Sequence, residues 1–313
     1  MPDRRGDLPG GMLRRLRHGV CLSLVLVGVA AWAAPDPAKL ELASVQALVA
    51  RIDEETPLYA RHADRAVPIA SVTKLMTALV VLESGEPLDA WLEIVDWESK
   101  PPNNAYSRMR IGSELRRRDL VRIALMSSEN LATHVLARHH PGGVAAFVAA
   151  MNGTAERLGM TRSRFVDPAG LSPLNVASAA DLLRLLRVAW TQDAMRSFTT
   201  TTQYSAVFRK PRYVLAYGNT NPLVASSRYD VGLSKTGYLD EAGRCLATVT
   251  MIDGAPVAMV LLDSFGSRSY LGDVGRIRRW LETGVGGPVA RAARAYADAR
   301  NAAYSAPEAT SSQ

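Results

Sequence analysis

Apolar and polar positions alternate near both ends of the chain and follow helical spacing in between. Strand-like segments bounded by turn residues occur at 45–52, 58–62, 229–237, 244–252 and 256–263. Residues 71–190 are predicted to be mostly helical, and a last helix is predicted over about 273–283. Terminal strands can bury their free edges by pairing with one another. We therefore predict an α+β fold, in which one antiparallel sheet is formed from both chain ends and a helical lobe is inserted between them.

The two termini fall outside this pattern. Five arginines precede an apolar run over residues 20–32, and Ala31-Trp32-Ala33 places small residues where a signal peptidase cleaves. This run of 13 residues is shorter than the roughly 20 that span a bilayer, which favours a cleaved signal peptide over 1–33; the alternative is an uncleaved membrane anchor. Residues 38–285 are predicted to form one domain. Residues 286–313, rich in Ala, Gly and Ser, are predicted to be a flexible C-terminal tail with one loose helix.

The charge of the chain argues against a nucleic-acid partner. The 313 residues have a formal net charge of +7, but the first 33 carry five arginines against two aspartates, so their removal lowers the charge to +4. A mildly basic exported protein suits an anionic cell envelope better than nucleic acid.

Ser71 and Lys74 lie three residues apart in a predicted helix that is apolar on all sides and ends at Gly85. This spacing places both side chains on one face. Burial lowers the pKa of a lysine, and a neutral amine beside a hydroxyl is a general base for it. Only five of the 37 basic residues are lysines, and arginine cannot deprotonate to act as a base. The alternative is a lysine that snorkels from a buried helix to the surface.

Two further segments carry candidate site residues. Ser128 and Asn130 lie on a polar connection between two predicted helices, where they either face a cleft or cap a helix. Lys235-Thr236-Gly237 lies in a predicted strand, and a glycine inside a strand often marks the close approach of a ligand or another backbone. A lysine and a hydroxyl beside that gap suit a substrate carboxylate. The alternative is an edge-strand lysine that prevents aggregation.

The order Ser-x-x-Lys, Ser-x-Asn, Lys-Thr-Gly resembles the signature of penicillin-binding proteins and serine β-lactamases. Within that group the chain is similar to low-molecular-weight penicillin-binding proteins of the D-alanyl-D-alanine endopeptidase type. The similarity spans roughly residues 40–285 and includes the segments 158–161, 167–172 and 219–221. It implies a β-lactamase/transpeptidase-like fold, and it makes residues 38–285 a D,D-peptidase catalytic domain.

The resemblance implies that the motif residues hydrolyse D-alanyl peptide bonds of peptidoglycan. Ser71 would be the nucleophile that becomes acylated, Lys74 would take its proton, and Ser128 would relay a proton to the leaving amine. Substrate binding is implied for Asn130, Lys235, Thr236, Gly237 and Tyr238. The oxyanion hole would consist of the backbone N–H groups of Ser71 and Tyr238. The resemblance also implies no metal and no cofactor, and β-lactams as covalent inhibitors. The signal-peptide pattern over 1–33 predicts export to the periplasm without a stable transmembrane anchor.

Three alternatives remain open. A class A β-lactamase shares the motifs, but its Glu-x-x-Leu-Asn segment is absent here, and Glu129 stands where those enzymes have Asp. A D-alanyl-D-alanine carboxypeptidase uses the same chemistry to release free D-alanine. Many such enzymes add a C-terminal β domain, and the 76 residues after Gly237 are too few for one, which favours the endopeptidase. The third alternative is a non-catalytic wall-binding or penicillin-sensing protein.

Overall fold

The computed structural model describes residues 35–98 and 105–305. Its strands are, in chain order, β1 (Ser44–Arg51), β2 (Tyr59–Arg61), β3 (Val67–Pro68), β4 (Trp91–Glu93), β5 (Glu114–Arg116), β6 (Val176–Ala177), β7 (Gln203–Phe208), β8 (Tyr213–Gly218), β9 (Asp230–Leu239), β10 (Gly243–Ile252) and β11 (Ala255–Ser264). Its α-helices are α1 (Lys74–Glu83), α2 (Arg117–Met126), α3 (Asn130–Arg138), α4 (Gly143–Arg157), α5 (Ala179–Thr191), α6 (Asp193–Thr200), α7 (Ser269–Thr283) and α8 (Arg291–Ser305).

The main sheet combines strands from both parts of the sequence. Its order is β2-β1-β11-β10-β9, and every neighbouring pair is antiparallel. Ala47 in β1 is opposite Arg61 on one side and Leu261 on the other, so the N-terminal strand lies inside the sheet. The helices α1 to α6 are inserted between β2 and β9. The predicted α+β fold, with one sheet formed from both chain ends, is confirmed.

Apolar side chains cover both faces of this sheet. Along β1, Leu48 and Ala50 belong to the core shared with the helical lobe, whereas Ala47 and Val49 belong to a second core beneath α7. This alternation follows from the two-residue period of a strand. Trp280 of α7 is fully buried in the second core. Residues that flank all three sequence motifs, among them Val72, Leu131 and Leu233, belong to the core on the side of the helical lobe.

The helix α8 is tied to the end of β11 by polar contacts. Asp263 is fully buried and accepts hydrogen bonds from the hydroxyls of Tyr296 (2.5 Å) and Tyr304 (2.9 Å) and from Nε of Arg300 (2.6 Å). A buried carboxylate without such partners would be strongly unfavourable. Residues 291–305 therefore differ from the flexible tail with one loose helix predicted for 286–313. Residues 306–313 and the predicted signal peptide over 1–33 lie outside the described residues.

The hairpin of β7 and β8 was not predicted. Its strands pair from Gln203 opposite Gly218 to Phe208 opposite Tyr213. After β8, the backbone N–H of Thr220 donates to the carbonyl of Met126, the last residue of α2 (2.9 Å). The hairpin thus brings residues 219–221 to the second motif. None of the helices in 35–98 and 105–305 has the length and apolar character needed to cross a membrane.

Candidate active site

Ser71 and Lys74 are positioned by the start of α1. Ser71 lies in a 3-10 turn over Ala70–Thr73, and Lys74 is the first residue of the α-helix. The turn begins with Ala70 in the left-handed region, with a φ of +48° that is rare for a residue with a Cβ. Lys74 Nζ lies 3.0 Å from Ser71 Oγ. The Lys74 side chain is 0% exposed, so the snorkelling alternative is excluded.

The remaining contacts of Lys74 define which way its lone pair points. Nζ also bonds Asn130 Oδ1 (2.8 Å) and the carbonyl oxygen of Ala169 (2.5 Å), and both of these oxygens can only accept. A neutral amine that donates its two N–H bonds to them directs its lone pair at the hydroxyl of Ser71. Burial lowers the pKa of Lys74 to about 7, against the opposing charges of Asp167 and Glu129. A large fraction of the amine, about half, is thus neutral at pH 7.

The connection between α2 and α3 carries the second motif. Like Ala70, Ser128 lies in the left-handed region, with a φ of +60°; such strain is often held at functional sites. The cap of α3 is provided by Glu129, whose side chain accepts from the N–H of Leu131 (3.2 Å). Capping therefore does not explain Ser128 or Asn130. Asn130, the first residue of α3, instead contacts Lys74.

The third motif lies on β9, an edge strand of the main sheet. Lys235 is only 1% exposed, so it does not serve as an exposed guard of that edge. Its Nζ donates to Ser128 Oγ (3.1 Å) and to the carbonyl of Thr236 (2.8 Å). Burial, together with the positive charge of Lys74, lowers the pKa of Lys235 well below its ordinary value. The second and third motifs are thus joined by a direct Ser–Lys contact.

Gly237 allows the backbone of β9 to approach the nucleophile turn. A Cβ at this position would lie 2.9 Å from the carbonyl oxygen of Ile69 and 3.1 Å from the backbone nitrogen of Ser71. Any larger residue would force the strand and the turn apart. Beside it, the hydroxyl of Thr236 hydrogen-bonds the hydroxyl of Thr220 (2.7 Å), a contact that the sequence analysis did not predict.

Tyr238 contributes differently from its neighbours. Its ring is 46% exposed, and its hydroxyl donates to Asp240 (2.6 Å). Because alternate residues of a strand face opposite sides, its side chain points away from the face of Lys235 and Gly237.

The loop over residues 167–172 supplies a group that residue-type reasoning missed. Asp167 accepts hydrogen bonds from four successive backbone N–H groups, those of Ala169, Gly170, Leu171 and Ser172. This fixes the carbonyl of Ala169 against Lys74. Gly170 is required there because a Cβ would lie 2.0 Å from the carbonyl oxygen of Ala70. The residue type does not reveal a role for a backbone carbonyl, so the sequence motifs did not predict this contact. The segment 167–172 was noted only as part of the similarity to the family.

These contacts are those of an active-site serine acyl-transfer enzyme, in which a buried lysine is the base for the serine. Within 35–98 and 105–305, no three His, Cys, Asp or Glu side chains are grouped to hold a metal ion.

Known proteins are similar to this chain over most of its length. The profile of the family described as D-alanyl-D-alanine carboxypeptidase matches residues 32–266. The D-alanyl-D-alanine endopeptidase of Pseudomonas aeruginosa is 45% identical over 291 residues, which cover 91% of this chain and 94% of that protein. The D-alanyl-D-alanine endopeptidase of Escherichia coli is 42% identical over 264 residues, which cover 84% and 85%.

Solved structures agree with the fold. A mutant of the Streptomyces K15 DD-transpeptidase matches with a TM-score of 0.70 and 25% identity, over 77% of this chain and 98% of that one. Penicillin-binding protein D2 from Listeria monocytogenes, in an ampicillin-bound form, matches with a TM-score of 0.66 and 28% identity, over 78% and 98%. The chain belongs to the D-alanyl-D-alanine carboxypeptidase family of serine D,D-peptidases. Its sequence-based identification as a low-molecular-weight penicillin-binding protein of the endopeptidase type is confirmed.

Proposed function

We propose that this protein is a serine D,D-endopeptidase that hydrolyses D-alanyl cross-links of peptidoglycan through an acyl-enzyme. The observation that carries the chemistry is the 3.0 Å contact between Ser71 Oγ and the fully buried Lys74 Nζ, whose pKa is lowered to about 7. The endopeptidase names of the two relatives at 45% and 42% identity favour cross-link cleavage over release of free D-alanine.

Acylation begins with proton transfer from Ser71 to Lys74. As Oγ attacks the carbonyl carbon of the D-alanyl residue, Nζ takes the hydroxyl proton, and the Asn130 and Ala169 oxygens keep the amine oriented. The backbone N–H groups of Ser71 and Tyr238 stabilise the oxyanion. The close approach at Gly237, where a Cβ would lie 3.1 Å from the nitrogen of Ser71, supports this placement.

Collapse of the tetrahedral intermediate requires a proton for the leaving amine. Ser128 relays to it the proton that Lys74 took from Ser71, and the hydrogen bond that Lys235 Nζ donates to Ser128 Oγ supports the role because such a donor stabilises an oxygen that has given up its proton. Lys235 and Thr236 bind negative charge on the substrate, and Asn130 holds its amide. Water then attacks the acyl-enzyme with Lys74 again as base, which releases the product and restores Ser71.

Muropeptide analysis of purified cross-linked wall tests this proposal. Incubation with the enzyme is expected to convert cross-linked dimers into monomers, and Ser71→Ala is expected to abolish the conversion. Release of D-alanine from monomeric pentapeptide with dimers untouched would establish the carboxypeptidase instead. If the unsubstituted protein left the dimers unchanged and released no D-alanine, the wall-binding alternative would be favoured. Activity retained in Ser71→Ala would refute the assignment of Ser71 as the nucleophile.

β-Lactams are proposed to acylate the same serine. Support comes from the ampicillin-bound structure of the Listeria monocytogenes protein, which shares this fold. Mass spectrometry is expected to find a stable penicilloyl adduct on Ser71. Rapid turnover of penicillin without an adduct would favour the β-lactamase alternative.

We also propose that residues 1–33 direct export to the periplasm, where peptidoglycan lies, and are removed near Ala33. Amino-terminal sequencing of the protein recovered from the periplasmic fraction tests this. A chain that starts at Met1 and stays with the membranes would support the anchor alternative.

A further inference from the structure

A cleft of about 320 Å³ lies between α7, the connection that leads into β9, and residues 286–288. We name it the arginine cleft, because Arg228, Arg276 and Arg279 line it together with Tyr229, Gly272 and Gly275. It belongs to the side of the sheet covered by α7, whereas the catalytic motifs lie on the side of the helical lobe. We propose that the arginine cleft binds a phosphate group, independently of the peptidase site.

Two of the three guanidinium charges of the cleft are not neutralised locally. No acidic residue lines it, and within the described part of the chain Arg228 and Arg279 make no ion pair. Arg276 is the exception, since its Nε and one terminal nitrogen bond Oδ1 of Asp273 (3.1 and 2.7 Å). Asp273 lies on the buried face of α7 and is 0% exposed. It therefore orients Arg276 without placing a carboxylate in the cleft.

Glycines inside α7 give a second, independent indication. Gly272 and Gly275 occupy interior positions of a helix, where glycine is among the least favourable residues. A Cβ at Gly272 would lie 3.2 and 3.4 Å from the terminal nitrogens of Arg276, and one at Gly275 would lie 3.2 Å from the hydroxyl of Tyr229. At Gly287, a Cβ would lie 3.0 Å from a terminal nitrogen of Arg279. Each glycine thus lets a donor group of the cleft lie directly against the backbone.

The donor set fits phosphate better than carboxylate. Guanidinium groups bind phosphate oxygens through paired, charge-assisted hydrogen bonds. Here three of them and a tyrosine hydroxyl come from different sides of one cleft, which suits a tetrahedral anion with several free oxygens. A planar carboxylate has only two oxygens to share among them. The same chemistry is offered by free phosphate and by the phosphodiester headgroup of an anionic lipid.

Titration of the purified protein with inorganic phosphate at low ionic strength, followed by calorimetry, tests the proposal. We expect saturable binding that falls by about tenfold or more in Arg228→Gln/Arg279→Gln, because each removed guanidinium takes away charge-assisted hydrogen bonds. The matched control is Arg162→Gln/Arg212→Gln, which removes the same charge from two exposed arginines elsewhere and should change affinity by less than about twofold. Penicillin acylation should be unchanged in both variants.

A second arm uses flotation with phosphatidylcholine vesicles, with and without phosphatidylglycerol. Binding that needs phosphatidylglycerol and is lost in the cleft variant identifies a lipid headgroup, whereas phosphate binding without vesicle binding identifies a soluble phosphate. Gly275→Ala should weaken binding in either arm without lowering the melting temperature. If Gly275 served only the fold, its replacement would lower the melting temperature instead of weakening binding alone. Absence of binding in both arms, equal loss in the control variant, or equal affinity for acetate would overturn the proposal.

Discussion

Two regions of this molecule bury charged side chains in opposite ways. In the active site, Lys74 and Lys235 are almost completely buried, and within the described residues neither has a carboxylate in ion-pair contact; their partners are hydroxyls, an amide and carbonyls. Near the C-terminal helices, Asp263 and Asp273 are equally buried, but each bonds an arginine as well as further donors.

This difference in the partners of buried charges distinguishes residues that take part in the reaction from residues that stabilise the fold. A buried charge with a full set of partners can hold two elements together, as Asp273 does by joining α7 to the backbone N–H groups of Ala43 and Ser44. A buried lysine without a counter-ion has a lowered pKa and is easily deprotonated. Its burial is unfavourable for stability, but its amine is available for proton transfer. The following predictions test this contrast.

The largest effect is expected for Lys74→Met, which keeps the side-chain length but removes the base. Acylation by a labelled penicillin should slow by about 10³-fold, since general-base catalysis contributes about 10²–10⁴-fold. Lys39→Met is the matched control, because Lys39 is exposed and outside the site, and its acylation rate should be unchanged. An acylation rate near wild type in Lys74→Met would mean that another group is the base.

The architectural counterpart is Asp273→Asn. It leaves Arg276 without its buried anion, and the free energy of unfolding in urea should fall by about 3 kcal/mol. The control is Glu282→Gln on the same helix, where an exposed pair with Arg278 is lost and the cost should be under about 0.5 kcal/mol. Acylation by penicillin per folded molecule should stay unchanged in both variants. Equal losses of stability would remove the distinction drawn above.

A smaller effect is expected in the pH dependence of stability. The pKa of Lys74 is about 7 in the folded protein and near its ordinary value of 10.5 when unfolded, so above pH 7 the unfolded state binds more protons. The free energy of unfolding should therefore rise with pH, by roughly 2 kcal/mol between pH 7 and pH 9 for this one group. The slope should decrease in Lys74→Met. An unchanged slope would contradict the lowered pKa.

The sequence predicted those parts of the molecule whose signals are local in the chain. The strands of the main sheet, α7 and the three motifs depend on alternation, helical spacing and residue type, and the structure brings the motif residues together. The carbonyl of Ala169 escaped prediction because backbone groups carry no residue-type signal. The role of α8 had a weaker signal, since Tyr296, Arg300 and Tyr304 recur at the four-residue spacing of one helix face. Nothing local indicated that they would meet Asp263.

The position of β1 inside the sheet also affects how the chain can fold. Ser44 pairs with Ser264, and their hydroxyls hydrogen-bond across a separation of 220 residues. Contacts between such distant positions slow folding, because a long loop must close before the contact stabilises anything. Until β11 has been synthesised, β1 has no partner on that side and β10 has a free edge. Nascent chains of this protein therefore present unpaired strands until β11 has been made, and such edges are prone to aggregate.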